Sequence, residues 1–176
     1  DNYDDVVGYA PGDDQLCIHF TNATSGGFKP VVNVTHASSI IDLDFGDFTG
    51  NGVDEMVSIR SNGVVQVDEF SNRTKTSTSR GSATVQIAGT TNPATLTHML
   101  FARFAGTQNN PTLIAAQANG DANEVFWSPS TSDVSVGTSV ISGVASGSIV
   151  GDFDADQDLD ILAPRAAGHR SIENQG

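Results

Sequence analysis

A single cysteine, Cys17, occurs in 176 residues. An intrachain disulfide and a zinc site built on cysteine pairs are therefore both ruled out. Basic residues are scarce too: eight Lys and Arg stand against 21 Asp and Glu, for a formal net charge of -13. That balance argues against nucleic acid and anionic membranes as partners, because both select positive potential. No apolar run is long enough for membrane insertion. No export-signal pattern appears, so the sequence reads as a mature form or as one whose signal lies outside it. Charged residues make up 16% of the chain and aromatics 7%, and helical periodicity is hard to find anywhere.

What is abundant is glycine, at 18 residues, together with Ser and Thr and short apolar runs bounded by Gly, Asn, Asp and Pro. This is the composition of a β protein with many tight turns. The runs predict fourteen strands, near 4-9, 16-20, 29-35, 38-45, 55-60, 64-70, 82-88, 96-103, 112-117, 123-127, 132-140, 146-151, 159-163 and 169-173. Cys17, inside Leu16-Cys17-Ile18-His19-Phe20, reads as a small buried hydrophobe. The stretch from Thr74 to Ser82 reads as a flexible or O-glycosylated loop.

The acidic residues are concentrated. Asp152, Asp154, Asp156, Asp158 and Asp160 occupy every second position of one short segment. Such a run repels itself unless a cation sits within it, and Ca²⁺ takes six to eight oxygen ligands from a tight loop. The reading is side-chain ligation by Asp152, Asp154, Asp156 and Asp160, with Asp158 supplying its backbone carbonyl. The loop is not an EF-hand, because the glycine at loop position six and the glutamate at position twelve are missing.

The same frame recurs at Asp47, Thr49, Asn51 and Glu55, with the Val53 carbonyl in the corresponding place. A remnant at Asp1, Tyr3 and Asp5 fits its second half, as a weak metal candidate. A degenerate copy begins at Arg103, where a cation replaces the leading aspartate, and is expected to be metal-free. The copies recur about every 50 residues, a period that means propellers or solenoids. Four strands per period is the blade of a β-propeller.

The Asp47 and Asp152 segments resemble the calcium loops of the FG-GAP/VCBS repeat family, found in integrin alpha-subunit propellers, fungal propeller lectins and many secreted proteins. The resemblance implies that each loop joins the first and second strands of a blade. The expectation is an all-β chain of four-stranded antiparallel blades, about three and a half of them, in one segment 1-176 with repeats near 1-46, 47-102, 103-151 and 152-176.

An unclosed arc leaves blade faces and strand edges exposed. Completion is expected from the remaining blades of a parent chain or from copies of the chain itself. Sequons at Asn22, Asn33 and Asn72 point to a secreted or cell-surface glycoprotein. No Gly-x-Ser-x-Gly elbow or zinc-type histidine spacing is present. His19, His36, His98 and His169 read as structural, and Trp127 with Phe126 as blade packing more than as a sugar platform. The functional expectation is a non-enzymatic, calcium-binding extracellular repeat protein with a structural or adhesive role and glycans or extracellular proteins as partners. A carbohydrate-binding propeller lectin is the alternative.

Overall fold

The computed structural model describes residues 6–22, 24–35, 38–71, 76–102, 112–155 and 159–172. Strands β1 (Val6–Tyr9), β2 (Gln15–His19) and β5 (Val32–Thr35) form a three-stranded sheet, with a short hairpin of β3 (Thr21–Asn22) and β4 (Gly27–Phe28) inserted before β5. Strands β6 (Ile40–Gly46), β7 (Glu55–Arg60), β8 (Val64–Ser71) and β9 (Thr76–Thr84) form a four-stranded meander. A second meander follows in β10 (Leu96–Ala102), β11 (Thr112–Gln117), β12 (Asp121–Ser128) and β13 (Asp133–Ser142). Strands β14 (Ile149–Gly151), β15 (Asp160–Arg165) and β16 (Gly168–Ile172) complete the described chain as a third strand set of the same pattern. All of these pairings are antiparallel. The fold is all-β and of propeller type, with about three and a half blades, here numbered one to four in chain order.

Successive blades stack through apolar faces. Alternation along a strand sends neighbouring side chains to opposite faces, so a strand in the middle of the stack is buried on both. Every residue of β7 is buried for this reason. Met56 turns toward blade one and packs with Leu16 and Ile40. Val57 and Ile59 turn toward blade three and join Val65, Val67, Leu113, Ala115, Val125 and Trp127. Ile114, Ala116, Val144 and Ile161 make the next cluster, between blades three and four. The turns between β1 and β2, β7 and β8, β11 and β12, and β15 and β16 share one solution: Gly12, Gly63, Gly120 and Gly168 all have positive φ. At Gly63 a side chain is excluded as well, since a Cβ there would sit 2.8 Å from the Ala94 carbonyl oxygen.

Three expectations are corrected. The strand expected at 82-88 runs instead from Thr76 to Thr84, pairing with β8 from Ser71↔Thr76 to Val64↔Thr84. The polar Ser/Thr run is thus recruited as an outer edge strand, where one side faces water, in place of the loop its composition suggests. The strand expected at 29-35 begins only at Val32, because Pro30 lacks the N–H that a ladder requires. Cys17 is exposed, not buried: Leu16 and Ile18 take the inward positions on either side of it, leaving the thiol on the outer face.

Candidate metal centre

The β14–β15 connection is a sharp loop. Its backbone is bent by Ala155, which adopts φ 66, and held by the acid side chains themselves. The Asp152 carboxylate accepts the Ala155 N–H at 2.7 Å, and the Asp160 Oδ2 accepts the Phe153 N–H at 3.1 Å. These bonds fix the Asp152 and Asp160 carboxylates against the loop backbone. Carboxylate oxygens of Asp152, Asp154 and Asp160 lie within 4.8 Å of one another, with Asp160 fully buried and the other two exposed. Three anionic groups at that spacing repel. Asp156 and Asp158, the remaining expected ligands, lie outside the described residues.

The β6–β7 connection has the same construction in a less charged form. Phe48, fully buried and 6.0 Å from the Phe101 ring, anchors the loop in the core between blades two and three. Glu55 is also fully buried. Its carboxylate accepts from the Thr49 N–H at 3.1 Å, the Thr49 hydroxyl at 2.8 Å and the Asn51 amide at 3.0 Å. Asp47 Oδ2 accepts the Gly52 N–H at 3.0 Å, and Asn51 Oδ1 accepts the Val53 N–H at 2.7 Å. Asp47 Oδ1 is buried without a hydrogen-bond donor. A buried carboxylate oxygen left unsatisfied calls for a partner such as an ion or water.

The donor types of both loops fit calcium, and among the described residues three acidic groups converge in the β14–β15 loop. The side-chain donor atoms brought together are hard oxygens, with no imidazole or thiolate among them, which suits Ca²⁺ and not the softer transition metals. The charge differs: the β14–β15 loop gathers three described carboxylates, the β6–β7 loop only those of Asp47 and Glu55, with Thr49 and Asn51 neutral. The remnant at Asp1, Tyr3 and Asp5 and the degenerate copy at Arg103 lie outside the described residues. Of the sequons, Asn22 accepts the Thr24 N–H at 3.1 Å in a turn, Asn33 lies exposed on β5 and accepts from the Cys17 thiol at 3.3 Å, and Asn72 lies outside the described residues.

Sequence reasoning missed Asp42. Its Oδ1 accepts from the Tyr9 hydroxyl of blade one at 3.2 Å and its Oδ2 from the Met99 N–H of blade three at 3.1 Å, so one carboxylate ties three blades. No sequence periodicity marks it, because the contact depends on a bulge in β6 between Ile40 and Asp42. Burial, then the Asp42 charge and hydrogen bond, hold the Tyr9 hydroxyl above its ordinary pKa. Burial lowers the pKa of His98, with the Asp42 charge opposing. Burial likewise lowers that of Arg60, opposed by Asp68.

A cleft of about 340 Å³ opens between blades two and three, lined by Thr49, Asn51, Ser79, Arg80, Trp127 and Ser132. Arg80 Nε donates to Glu69 Oε2 at 2.9 Å.

No protein-family model and no curated protein matches the sequence. Solved structures do match. A protein from Lactobacillus plantarum aligns over 92% of this chain and 51% of its own, with a TM-score of 0.56 and 12% identity. BBS1N, solved in complex with ARL6DN, aligns over 96% of this chain and 41% of its own, with a TM-score of 0.54 and 16% identity. Identities this low show the fold alone. The chain spans about half the length, or less, of the structures it matches. The class defined is therefore an all-β, propeller-type arc.

Proposed function

We propose that this chain is a calcium-binding β-propeller repeat segment of an extracellular protein, with a non-enzymatic structural or adhesive role. The observation that carries the reading is the convergence of Asp152, Asp154 and Asp160, whose oxygens lie within 4.8 Å of one another on a single interstrand loop. The unsatisfied Asp47 Oδ1 in the related loop supports a second, weaker site completed by Thr49, Asn51, the Val53 carbonyl and Glu55. The ion's role is structural: it pins a long connection between the first and second strands of a blade, and blade packing then transmits that order to the core.

The FG-GAP/VCBS resemblance supports the same assignment. The exposed sequon at Asn33 fits secretion, where calcium is available at the concentrations that extracellular modules bind. Blades one and four have three described strands each, so strand addition from further blades of a longer chain, or from a second copy, completes the ring. The test is calcium content by elemental analysis with binding followed by calorimetry. Bound calcium that is lost on Asp152→Asn or Asp160→Asn substitution is the expected result; a chain without calcium at millimolar supply would refute the proposal.

A carbohydrate-binding lectin is the second reading, favoured by the cleft between blades two and three. The largely buried Trp127 lines it beside hydroxyl, amide and guanidinium groups, a combination suited to a polyhydroxylated ligand. A glycan array run with and without calcium separates the readings: saturable binding to one sugar class, abolished by Trp127→Ala in a protein that still melts cooperatively, selects the lectin.

A further inference from the structure

Blades two, three and four repeat one polar detail with different residues: Arg60, Asp68, Gln117 and Asn123 are buried, and the blade-four counterparts are exposed. Opposite Ser58, Ala115 and Ala163 on the second strands stand Gln66, Asn123 and Arg170 on the third strands. Two residues further along each second strand, and so on the same face, come Arg60, Gln117 and Arg165. In blade three this pair closes on itself, Gln117 Nε2 donating to Asn123 Oδ1 at 2.7 Å. In blade two an acid completes the group: Gln66 Nε2 donates to both oxygens of Asp68, at 2.8 and 3.0 Å, and the Asp68 charge acts on Arg60.

In blade four both positions are arginine and both are exposed. Arg170 Nη1 donates to the Ser142 carbonyl at 3.1 Å. It lies over Gly143, 2.6 Å from where a Cβ would be, and Arg165 Nη2 lies 3.8 Å from the same point. Gly143 has φ 88, which a side chain rarely adopts, so the floor beneath the two guanidiniums is kept clear by backbone and by space. Asp121, opposite Ser142, is engaged by the Ser142 hydroxyl at 3.1 Å and the Asn119 amide at 2.8 Å. Among the described residues the ion pair is Arg80 with Glu69, and neither Arg165 nor Arg170 meets a carboxylate.

The equivalent groups in blades two and three thus contain a side-chain acceptor, whereas among the described residues the two arginines of blade four meet no carboxylate. Each guanidinium offers five N–H donors in a planar fork that matches an oxyanion. Two guanidiniums placed together, with no carboxylate beside them among the described residues, make a local positive potential that attracts an anion.

We propose that Arg165 and Arg170 form a receptor for an oxyanion group of a ligand, a carboxylate, sulfate or phosphate bridged between the two guanidiniums. The proposal is independent of the calcium sites. The test is titration of the 176-residue chain with sodium sulfate, phosphate and acetate at constant ionic strength against chloride, following the arginine side-chain Nε–H resonances by NMR. The expected result is a saturable shift of the Arg165 and Arg170 signals with at least one oxyanion, weakened about tenfold by Arg165→Gln or Arg170→Gln alone and abolished in the double variant. The anion that binds best names the ligand's acidic group. A response that tracks ionic strength equally with chloride, or that survives in the double variant, would overturn the proposal. The backbone spectrum of each variant reports folding separately.

Discussion

If the proposed calcium site is occupied, withdrawing the ion should lower the stability of the folded chain. At 4.8 Å a pair of unit charges repels by about 1 kcal/mol in bulk water and about 3 kcal/mol at an effective dielectric of 20. Asp152 and Asp154 are exposed and screened, so their mutual term belongs at the low end; the two pairs that include buried Asp160 belong nearer the high end. Gathering these carboxylates without a cation is therefore unfavourable, and a bound divalent ion would offset that cost. Calcium at about a hundred times its dissociation constant stabilises the folded state by about 2.7 kcal/mol. For a chain of this length each kcal/mol is worth about 2–4 °C, so the melting temperature should differ by about 5–11 °C between calcium and EDTA in scanning calorimetry. Asp160→Asn sharpens the test. The amide oxygen can still accept the Phe153 N–H, yet one charge is gone, so the variant should melt in EDTA at or above the wild-type chain and gain little from calcium. Coincident melting curves with calcium and EDTA, or an Asp160→Asn variant that responds to calcium as the wild type does, would refute the reasoning.

Asp42→Ala strands the Tyr9 hydroxyl and the Met99 N–H at once and should cost about 2–4 kcal/mol, whereas Tyr9→Phe, which removes only one donor, should cost about 1 kcal/mol, both by urea titration. Gly46→Ala would drive a methyl group into the Phe101 ring at the packing of blade two on blade three, with an expected loss of about 1–3 kcal/mol. Since burial depresses the pKa of His98 below its ordinary value of 6.5, the unfolded chain takes up that proton first on acidification. The stability contribution is complete above pH 6.5 and falls as pH drops from there through the lower folded pKa. His98→Gln should flatten that part of the stability curve, and an unchanged pH slope in the variant would remove His98 as its source.

Much of the fold was legible because its signals are local. A Gly in the turn after each second strand, as at Gly63 and Gly120, and apolar alternation on either side, set strand lengths without reference to the rest of the chain. The acidic frame from Asp152 to Asp160 is local too, and an alternate-residue spacing already brings carboxylates around one loop. Where the local signal ran against pairing it misled: Thr76 to Gly81 has the composition of a loop, but the N–H and C=O groups along the outer side of β8 needed a partner, and backbone hydrogen bonding is indifferent to polar side chains at an edge.

The sequence by itself determined that this is an antiparallel β protein with repeated acidic loops, because strand period, turn glycines and alternating aspartates act over a few residues. Only the tertiary structure decided that Asp42 joins three blades, that Cys17 faces outward, that Asp47 Oδ1 is buried without a donor, and that Arg165 and Arg170 share a glycine floor. Those facts depend on a bulge, on which face of a sheet meets its neighbour, and on contacts between residues far apart in the chain, none of which a linear pattern encodes.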